Sequence, residues 1–289
     1  MEVRIKEPMS RHTTFRAGGE ADWYVLPENV AELKSTISEL LESGTPYYIV
    51  GNGSNLLVSD KGYRGVIIGM ERFCSINVDN RTIRAGSGAL LSRIAKEALK
   101  NGLTGLEFAS GIPGSLGGAV SMNAGAYGSE IRDVIDSATV LTKDGRVMIL
   151  EKEELGLSYR RSVISEKDYV VLEASFTLPQ GDPEEIKVRM DELAAKRKDK
   201  QPLEFPSAGS TFKRPEGYFA GKLIEDAGLK GFSIGGAQVS EKHAGFVINR
   251  GQATASELYR LFQEIRKRVS DQSGVQLELE VKLLGDFSD

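Results

Sequence analysis

The glycine-rich stretch at residues 102–129 is the feature that most restricts how this chain can fold. It contains eight glycines and one proline, so it is a poor long helix although it is the longest weakly charged run in the chain. A second glycine loop, GNGSN at residues 51–55, directly follows the apolar run PYYIV. Backbone N–H groups without Cβ crowding can approach a diphosphate closely, so the two loops together favour such a site. Either loop taken alone is equally typical of an ordinary turn.

The composition narrows the class of ligand. The chain has 289 residues, enough for two or three packed units, and its 40% hydrophobic and 27% charged residues are typical of globular proteins. The formal net charge of -4 argues against a nucleic-acid partner. Local cations and backbone N–H groups must therefore hold any anionic ligand.

The cysteine usage and the apolar runs bear on the cellular location. Cys74 is the only cysteine, which excludes an intrachain disulfide and a cysteine-based metal cage and fits a reducing cytoplasm. The first residues lack the apolar segment of a secretory signal, and no run of about 18 apolar residues occurs. We therefore expect a cytoplasmic protein with no metal site and no membrane span.

The first 70 residues are typical of a βαβ unit. The run DWYVLP predicts a strand, and Asn29 can cap a helix that ends at Gly44. PYYIV predicts a second strand, which places the loop at 51–58 at the carboxyl end of a strand, where open α/β sheets bind ligands. The predicted buried face of the helix consists of Val30, Leu33, Ile37, Leu40 and Leu41.

The middle of the chain is predicted to be α+β. CSINV and TIRAG form one hairpin, residues 89–101 a helix, residues 138–150 a second hairpin around Asp144-Gly145, and DYVVLEASFTL a strand. A charged helix opens at Asp182-Pro183 and continues to about residue 198. In the last third, Thr254 and Glu257 predict a capping box. The final run VQLELEVKLLG alternates strictly and predicts one strand with Glu278, Glu280 and Lys282 on a common face.

Several familiar motifs are absent. Leu56 stands where a dinucleotide fingerprint needs its third glycine, and Gly221-Lys222 is followed by Leu223, so neither a Rossmann site nor a P-loop is supported. Ser210 lacks the flanking glycines of a hydrolase elbow, and the two histidines form no zinc motif. From the residues alone, Ser210 is either a turn-forming or phosphate-holding serine, or a proton donor.

Seven segments in order carry a resemblance that covers almost the whole chain. They are TTFRAGG (13–19), GNGSNLL (51–57), GIPGSLGGAV with NAGAYG (111–128), SYRRS (158–162), AGSTFKRPEG (208–217), GKLIEDAGLKG (221–231) and LEVKLLG (279–285). Together they resemble the shorter branch of the UDP-N-acetylenolpyruvoylglucosamine reductase family. The resemblance implies an α+β, three-domain flavoprotein. Two α+β FAD-binding domains of the vanillyl-alcohol-oxidase/PCMH-like type (1–70 and 71–200) would precede a C-terminal α+β substrate-binding domain (201–289).

The resemblance also implies the cofactors and the reaction. FAD would be bound non-covalently, and NADPH would reduce it for the conversion of UDP-N-acetylglucosamine enolpyruvate to UDP-N-acetylmuramate in peptidoglycan precursor synthesis. The partners would be the UDP-sugar and NADPH, and the protein would be a monomer. The hydroxyl of Ser54 or Ser115 would add a donor to the diphosphate. The implied FAD-binding residues are Gly51, Asn52, Gly53, Ser54, Asn55, Ser110, Gly111, Pro113, Gly114, Ser115, Gly117, Gly118, Asn123 and Gly125.

The implied catalytic residues are Arg160, Ser210 and Glu280. Arg160 and Glu280 would stabilise charge on the substrate carboxylate, with Arg161 and Glu278 as rivals, and Ser210 would donate the proton. The implied substrate-binding residues are Tyr159, Lys213, Arg214 and Lys222, although the three cations are also typical of a solvated surface.

Two alternatives remain open. One is another FAD-dependent oxidase or dehydrogenase of the same superfamily that acts on an alcohol or sugar. Such enzymes often tether flavin through His or Cys, and neither His12 nor Cys74 lies in a glycine loop. The other is a flavin- or UDP-sugar-binding module without catalysis, which the joint presence of Arg160, Ser210 and Glu280 opposes.

Overall fold

A computed structural model describes residues 1–288. Its strands are β1 (Glu2–Pro8), β2 (Glu20–Leu26), β3 (Tyr47–Val50), β4 (Leu56–Val58), β5 (Tyr63–Gly69), β6 (Ile76–Asp79), β7 (Thr82–Gly86), β8 (Gly125–Ala126), β9 (Ser129–Glu130), β10 (Ser137–Leu141), β11 (Val147–Glu151), β12 (Val170–Thr177), β13 (Ser233–Ile234), β14 (Ala237–Val239), β15 (Val247–Asn249) and β16 (Lys282–Leu284). Its helices are α1 (Val30–Ser43), α2 (Leu91–Lys100), α3 (Leu116–Ser121), α4 (Ile131–Val134), α5 (Val163–Glu166), α6 (Pro183–Lys200), α7 (Ala220–Asp226) and α8 (Ala255–Ser273).

The chain divides into two compact units, each built from separate segments. The first unit comprises Met1–Val3, Tyr24–Asn52 and Val66–Arg197. The second comprises Arg4–Trp23, Gly53–Gly65 and the described chain from Lys198 onward. Strands β1, β2 and β5 therefore contribute residues to both units, and the division falls within the GNGSN loop. Within residues 1–288, no helix combines the length and the hydropathy needed to cross a membrane.

Helix α1 forms as predicted. The Asn29 side chain accepts a hydrogen bond from the Glu32 N–H, and Gly44 ends the helix in the left-handed conformation at φ 65°. Leu33 and Ile37 are buried, but Leu41 is 43% exposed and does not belong to the buried face. The strands that α1 connects are not neighbours: the sheet order is β1-β2-β5-β3, and β3 pairs in parallel with β5.

A five-stranded antiparallel sheet forms most of the first unit, in the order β11-β10-β12-β7-β6. Both predicted hairpins are confirmed, with Ser137 opposite Glu151 in one and Ile76 opposite Ala85 in the other. The sheet packs on α2 and α3, and this core includes Ile83, Leu91, Ile94, Leu116, Val120 and Phe176. This core supports the loop between α2 and α3, which carries much of the glycine-rich stretch.

The second unit is organised around α8. Thr254 and Glu257 form the predicted capping box, and Gly274 ends the helix at φ 72°. The core of the unit includes Phe15, Phe212, Leu258, Leu261, Phe262, Ile265 and Leu277. The sheet β13-β14-β15 is antiparallel, whereas β16 pairs in parallel with β4.

The prediction of one continuous last strand is wrong. Only Lys282–Leu284 form a strand, and a single bridge joins Leu279 to Phe212 before it. Leu279 pairs with Phe212, whereas β16 pairs with β4, so the regular alternation of one strand is interrupted between them. Glu280 is therefore buried, whereas Glu278 and Lys282 are exposed.

Candidate functional site

The two glycine loops meet in the first unit. A Cβ atom added to Gly51 would lie 2.0 Å from the Ser115 Oγ, so only a glycine fits this approach without a shift. The Asn52 side-chain amide donates a hydrogen bond to the Pro113 carbonyl. The first two residues of GNGSN thus pack directly against the stretch at 110–118.

The stretch at 110–118 is held by backbone hydrogen bonds to the segment that joins β7 to α2. The Gly117 N–H donates to the Ser87 carbonyl (2.7 Å), and the Leu91 N–H donates to the Gly114 carbonyl (3.0 Å). Ser115 is the N-cap residue of α3, but its hydroxyl makes no capping hydrogen bond. Gly111 and Gly118 are exposed, which leaves part of this rigid loop open to a ligand.

Ser87 is a polar residue of this region that the sequence reading passed over. It is buried, and its hydroxyl has no hydrogen-bond partner in the described part of the chain. A Cβ at Gly117 would lie 3.0 Å from the Ser87 Cβ, so the two backbones are in close contact. Its position in AGSG, between two glycines that follow a predicted strand, was the signal available in the sequence.

The rest of GNGSN belongs to the second unit. Gly53 has φ 58°, and a Cβ there would lie 1.9 Å from the His12 carbonyl oxygen. The Asn55 side-chain amide donates to the Glu280 carbonyl (2.9 Å), and the Lys282 N–H donates to the Asn55 carbonyl (3.0 Å). Asn55 therefore fixes the backbone on either side of Val281. Ser54 is partly exposed beside it.

Asn123 is fully buried at φ 46°, and both ends of its amide are used. It donates to the Ser158 carbonyl (3.3 Å) and accepts from the Arg132 N–H (2.9 Å). Asn123 thus anchors the segment that precedes Tyr159. Gly125 pairs with Glu130 in the β8–β9 hairpin nearby in the chain.

Tyr159 and Arg160 form the tip of a tight turn. Ser158 and Arg161 exchange two backbone hydrogen bonds of 3.1 Å, and Arg160 adopts φ 56°, which is uncommon for a residue other than glycine. The Arg160 guanidinium lies over the Tyr159 ring, 4.9 Å from its centroid. The rival cation, Arg161, is an exposed side chain that forms an ion pair with Glu166.

Thr211 brings Ser210 and Glu280 together in the second unit. Its carbonyl accepts the Glu280 N–H (2.9 Å), its N–H donates to the Gly245 carbonyl (2.9 Å), and its buried hydroxyl accepts the Val247 N–H (3.0 Å). Ser210 is exposed directly before this residue. Thr211 was missed as a site residue, although its place directly after Ser210 in the motif was a signal.

The two candidate glutamates differ in environment. The Glu280 residue is 9% exposed, whereas the Glu278 side chain is 74% exposed and pairs with the Lys213 ammonium at 3.1 Å. The Lys213 N–H also donates to the Glu278 carbonyl (2.9 Å). A buried carboxylate interacts more strongly with a nearby charge than an exposed one, so Glu280 is the better candidate.

The other predicted substrate cations are exposed. The Lys222 ammonium pairs with Asp226 (2.5 Å), and this hydrogen bond raises the pKa of Lys222 above its usual value. The Arg214 guanidinium lies 4.0 Å from the centroid of the exposed Phe219 ring. These contacts hold each cation at the surface of its own segment.

His243 occupies the loop between β14 and β15. Its Nδ1 accepts a hydrogen bond from the Gly245 N–H (3.1 Å), and its ring packs on Phe246 with the centroids 5.0 Å apart. Burial lowers the pKa of His243 below its ordinary value.

A comparison with family models identifies a cofactor for the part of the chain that contains the glycine loops. A model described as an FAD binding domain matches residues 21–151, which include both loops. The first unit can hold this cofactor, because its loops leave exposed glycine backbone and a buried hydroxyl without a partner at Ser87. The chain is therefore an FAD-binding oxidoreductase with a mixed α and β fold.

Comparisons over the full length narrow the class to one family. The model of the UDP-N-acetylenolpyruvoylglucosamine reductase C-terminal domain matches residues 201–284, which include Ser210 and Glu280. Proteins with this reductase name from Clostridium novyi and Caldanaerobacter subterraneus are 51% and 52% identical, covering 100% and 99% of this chain and 94% of each relative. This chain belongs to the UDP-N-acetylenolpyruvoylglucosamine reductase family.

Solved structures agree with this assignment. The crystal structure of the reductase from Thermus caldophilus has a TM-score of 0.83 and 36% identity, with 98% of each chain covered. A Phl p 4 variant described as a glucose oxidase has a TM-score of 0.50 and 14% identity over 63% of this chain and 42% of that one. The second likeness concerns the fold alone.

Proposed function

We propose that this chain uses NADPH to reduce UDP-N-acetylglucosamine enolpyruvate to UDP-N-acetylmuramate in peptidoglycan precursor synthesis. Family membership sets the reaction. The observation that carries the mechanism is the link through Thr211, which joins the exposed Ser210 to the buried Glu280. This backbone link holds the segments of Ser210 and Glu280 next to each other, so that a proton donor and a buried carboxyl can act on one substrate.

The difficulty of the reaction is electronic. The double bond of a vinyl ether is electron-rich at its terminal carbon, so it accepts a hydride only if its carboxylate withdraws electrons. FAD, when bound and reduced by NADPH, supplies that hydride. Arg160 contributes a cation, and Glu280 shares a proton with the substrate carboxylate. Both stabilise the negative charge that grows on this carboxylate toward the transition state. Arg161 and Glu278 are less suited because both are exposed, whereas Arg160 is partly buried and Glu280 is buried, where charges interact more strongly.

Ser210 completes the reduction by giving a proton to the carbon next to the carboxylate. The hydroxyl needs no activating base because the acceptor is a strongly basic, enol-like carbanion. The exposure of Ser210 and the absence of a hydrogen bond to its hydroxyl within residues 1–288 support a group that is available to the substrate.

The FAD-binding role falls to the glycine loops. We assign the backbone of Gly51, Gly111, Gly114 and Gly118 to the diphosphate, because glycine permits this close approach. Gly117 belongs to the same site and holds the loop in place through the hydrogen bond from its N–H to the Ser87 carbonyl. Ser115 and Ser54 are hydroxyl donors in the same loops. Asn52, Asn55 and Asn123 support the loops through the hydrogen bonds described above, and Gly53, Ser110, Pro113 and Gly125 complete the predicted set.

Substrate binding falls to Tyr159, Lys213, Arg214 and Lys222. Tyr159 shares its turn with Arg160, and the three cations lie at the surface of the second unit, where a diphosphate or carboxylate would displace their present partners. For Lys213 and Lys222, this exchange replaces one anionic partner with another.

The finer organisation is also part of this proposal. We assign two FAD-binding domains of the vanillyl-alcohol-oxidase/PCMH-like type to residues 1–70 and 71–200, and a substrate-binding domain to residues 201–289. We further propose a cytoplasmic monomer. The single cysteine supports a reducing compartment.

Anaerobic stopped-flow absorbance tests the function. NADPH should bleach the flavin band of the purified protein, and UDP-N-acetylglucosamine enolpyruvate should restore it. Bleaching without recovery would refute the substrate assignment. The competing function is another FAD-dependent oxidase or dehydrogenase, acting on an alcohol or sugar. Oxygen consumption driven by such a substrate without NADPH would support that alternative.

A further inference from the structure

Arg197 is a cation beside the glycine-rich loop that neither family model covers. It lies near the end of α6, between the matched ranges 21–151 and 201–284. A Cβ on Gly111 would lie 2.9 Å from the Arg197 Cδ and 3.6 Å from its Nη1. The Arg197 side chain therefore lies directly against the loop backbone at Gly111.

The environment of Arg197 differs from that of the other cations of α6. Lys187 pairs with Asp191 (3.1 Å) and Arg189 pairs with Glu192 (3.0 Å), and both are exposed. Arg197 is partly buried, and the described part of the chain provides no carboxylate within ion-pair distance of it. Burial lowers the pKa of Arg197, and an electrostatic interaction with the Tyr127 phenol acts in the opposite direction. A partly buried guanidinium without an anionic partner is costly unless a ligand supplies the anion.

The two glycine loops contain no charged side chain that could pair with a diphosphate. Residues 51–55 and 109–128 contain no lysine, arginine, aspartate or glutamate. Without a further residue, only backbone N–H groups and hydroxyls would bind the anionic ligand, in a chain whose formal net charge is -4. Arg197 lies against Gly111 at the start of the longer loop and interacts electrostatically with Tyr127 near its end, and its guanidinium can offer a bidentate contact to phosphate oxygens.

We propose that Arg197 binds the diphosphate of FAD at the glycine-rich loop. This inference rests on the FAD-binding assignment of residues 21–151. NADPH and the UDP-sugar also carry a diphosphate, but Gly111 belongs to the FAD-binding range, which favours FAD. Arg197 acts as a binding residue and takes no part in proton or hydride transfer.

The test compares FAD affinity across variants of the full-length protein. Arg197→Met removes the charge at similar length, Arg197→Lys keeps it, and Lys196→Met removes an exposed charge from the same turn of α6. FAD dissociation constants would be measured by flavin fluorescence at several KCl concentrations. We expect Arg197→Met to raise the dissociation constant by about tenfold or more and to weaken its salt dependence. Arg197→Lys should raise the FAD dissociation constant less, and the FAD dissociation constant of Lys196→Met should stay within about twofold of that of the unmodified protein.

The outcomes separate the possible sources of the diphosphate. An FAD dissociation constant for Arg197→Met within about twofold of the unmodified protein would overturn the proposal. An unchanged FAD affinity with a raised KM for NADPH or for the UDP-sugar would overturn it in favour of that ligand. If Arg197→Met does not fold, a several-fold weaker affinity in folded Arg197→Lys supports the proposal, and an unchanged affinity refutes it. FAD binding by the unmodified protein and Lys196→Met tests the cofactor assignment separately.

Discussion

Removing the hydroxyl of Ser210 should separate catalysis from stability. Ser210 is exposed, and its hydroxyl makes no hydrogen bond to residues 1–288, so Ser210→Ala should change the free energy of unfolding by less than about 0.5 kcal/mol. Loss of a general acid typically lowers a rate by about 10²- to 10⁴-fold, which corresponds to about 3–5 kcal/mol in the barrier. The variant should therefore fold and bind FAD while product formation collapses.

The assay follows the two half-reactions of Ser210→Ala in anaerobic stopped flow. Reduction of the flavin by NADPH should proceed at the unmodified rate, whereas reoxidation by the enol ether should slow by the factor given above. Ser207→Ala is the matched control, because Ser207 lies in the same segment and its hydroxyl makes no hydrogen bond within the described residues. Reoxidation of Ser210→Ala at near the unmodified rate would refute the proton-donor role.

Three further predictions follow from contacts in the second unit. Glu280→Gln should slow reoxidation by about 10²-fold or more while Glu278→Gln changes it little, and equal effects would contradict the choice between them. Gly53→Ala should cost at least about 1–2 kcal/mol of stability, measured by urea unfolding, because φ is 58° and the new Cβ would meet the His12 carbonyl oxygen; unchanged stability would contradict this. The hydrogen bond from His12 (2.8 Å) is the main cause that lowers the pKa of Glu7. A carboxyl whose pKa is lowered in the folded protein stabilises the fold at pH values above its ordinary pKa of 4.5, and this stabilisation is lost in acid. The difference in Tm between the unmodified protein and His12→Ala should therefore shrink as the pH falls below about 4.5. A difference that grows in acid would refute this prediction.

The helices and hairpins were predictable because local interactions specify them. The Asn29 cap, the Gly44 terminus and the Thr254–Glu257 capping box depend on residues within one turn of each other, and all three are present. Leu41 and the last strand were predicted wrongly because burial at those positions depends on distant partners.

The candidate site was predictable as a set of motifs but not as an arrangement. The order of seven short segments was sufficient to indicate the family, and the comparisons confirm it. The spacing of Glu278 and Glu280 could not distinguish them, because an ideal strand would place both on one face. Their difference arises where the strand is interrupted, between the bridge at Leu279 and the start of β16.

The sequence by itself determined the local elements, the glycine loops and the family, because these depend on residues close together in the chain or on motifs in order. Only the tertiary structure decided that Asn55 supports the backbone of Glu280, 225 positions away. It likewise placed Arg197 against Gly111, and gave Glu280 a buried position. Burial and contacts between distant segments depend on how the whole chain packs, and no local pattern encodes them.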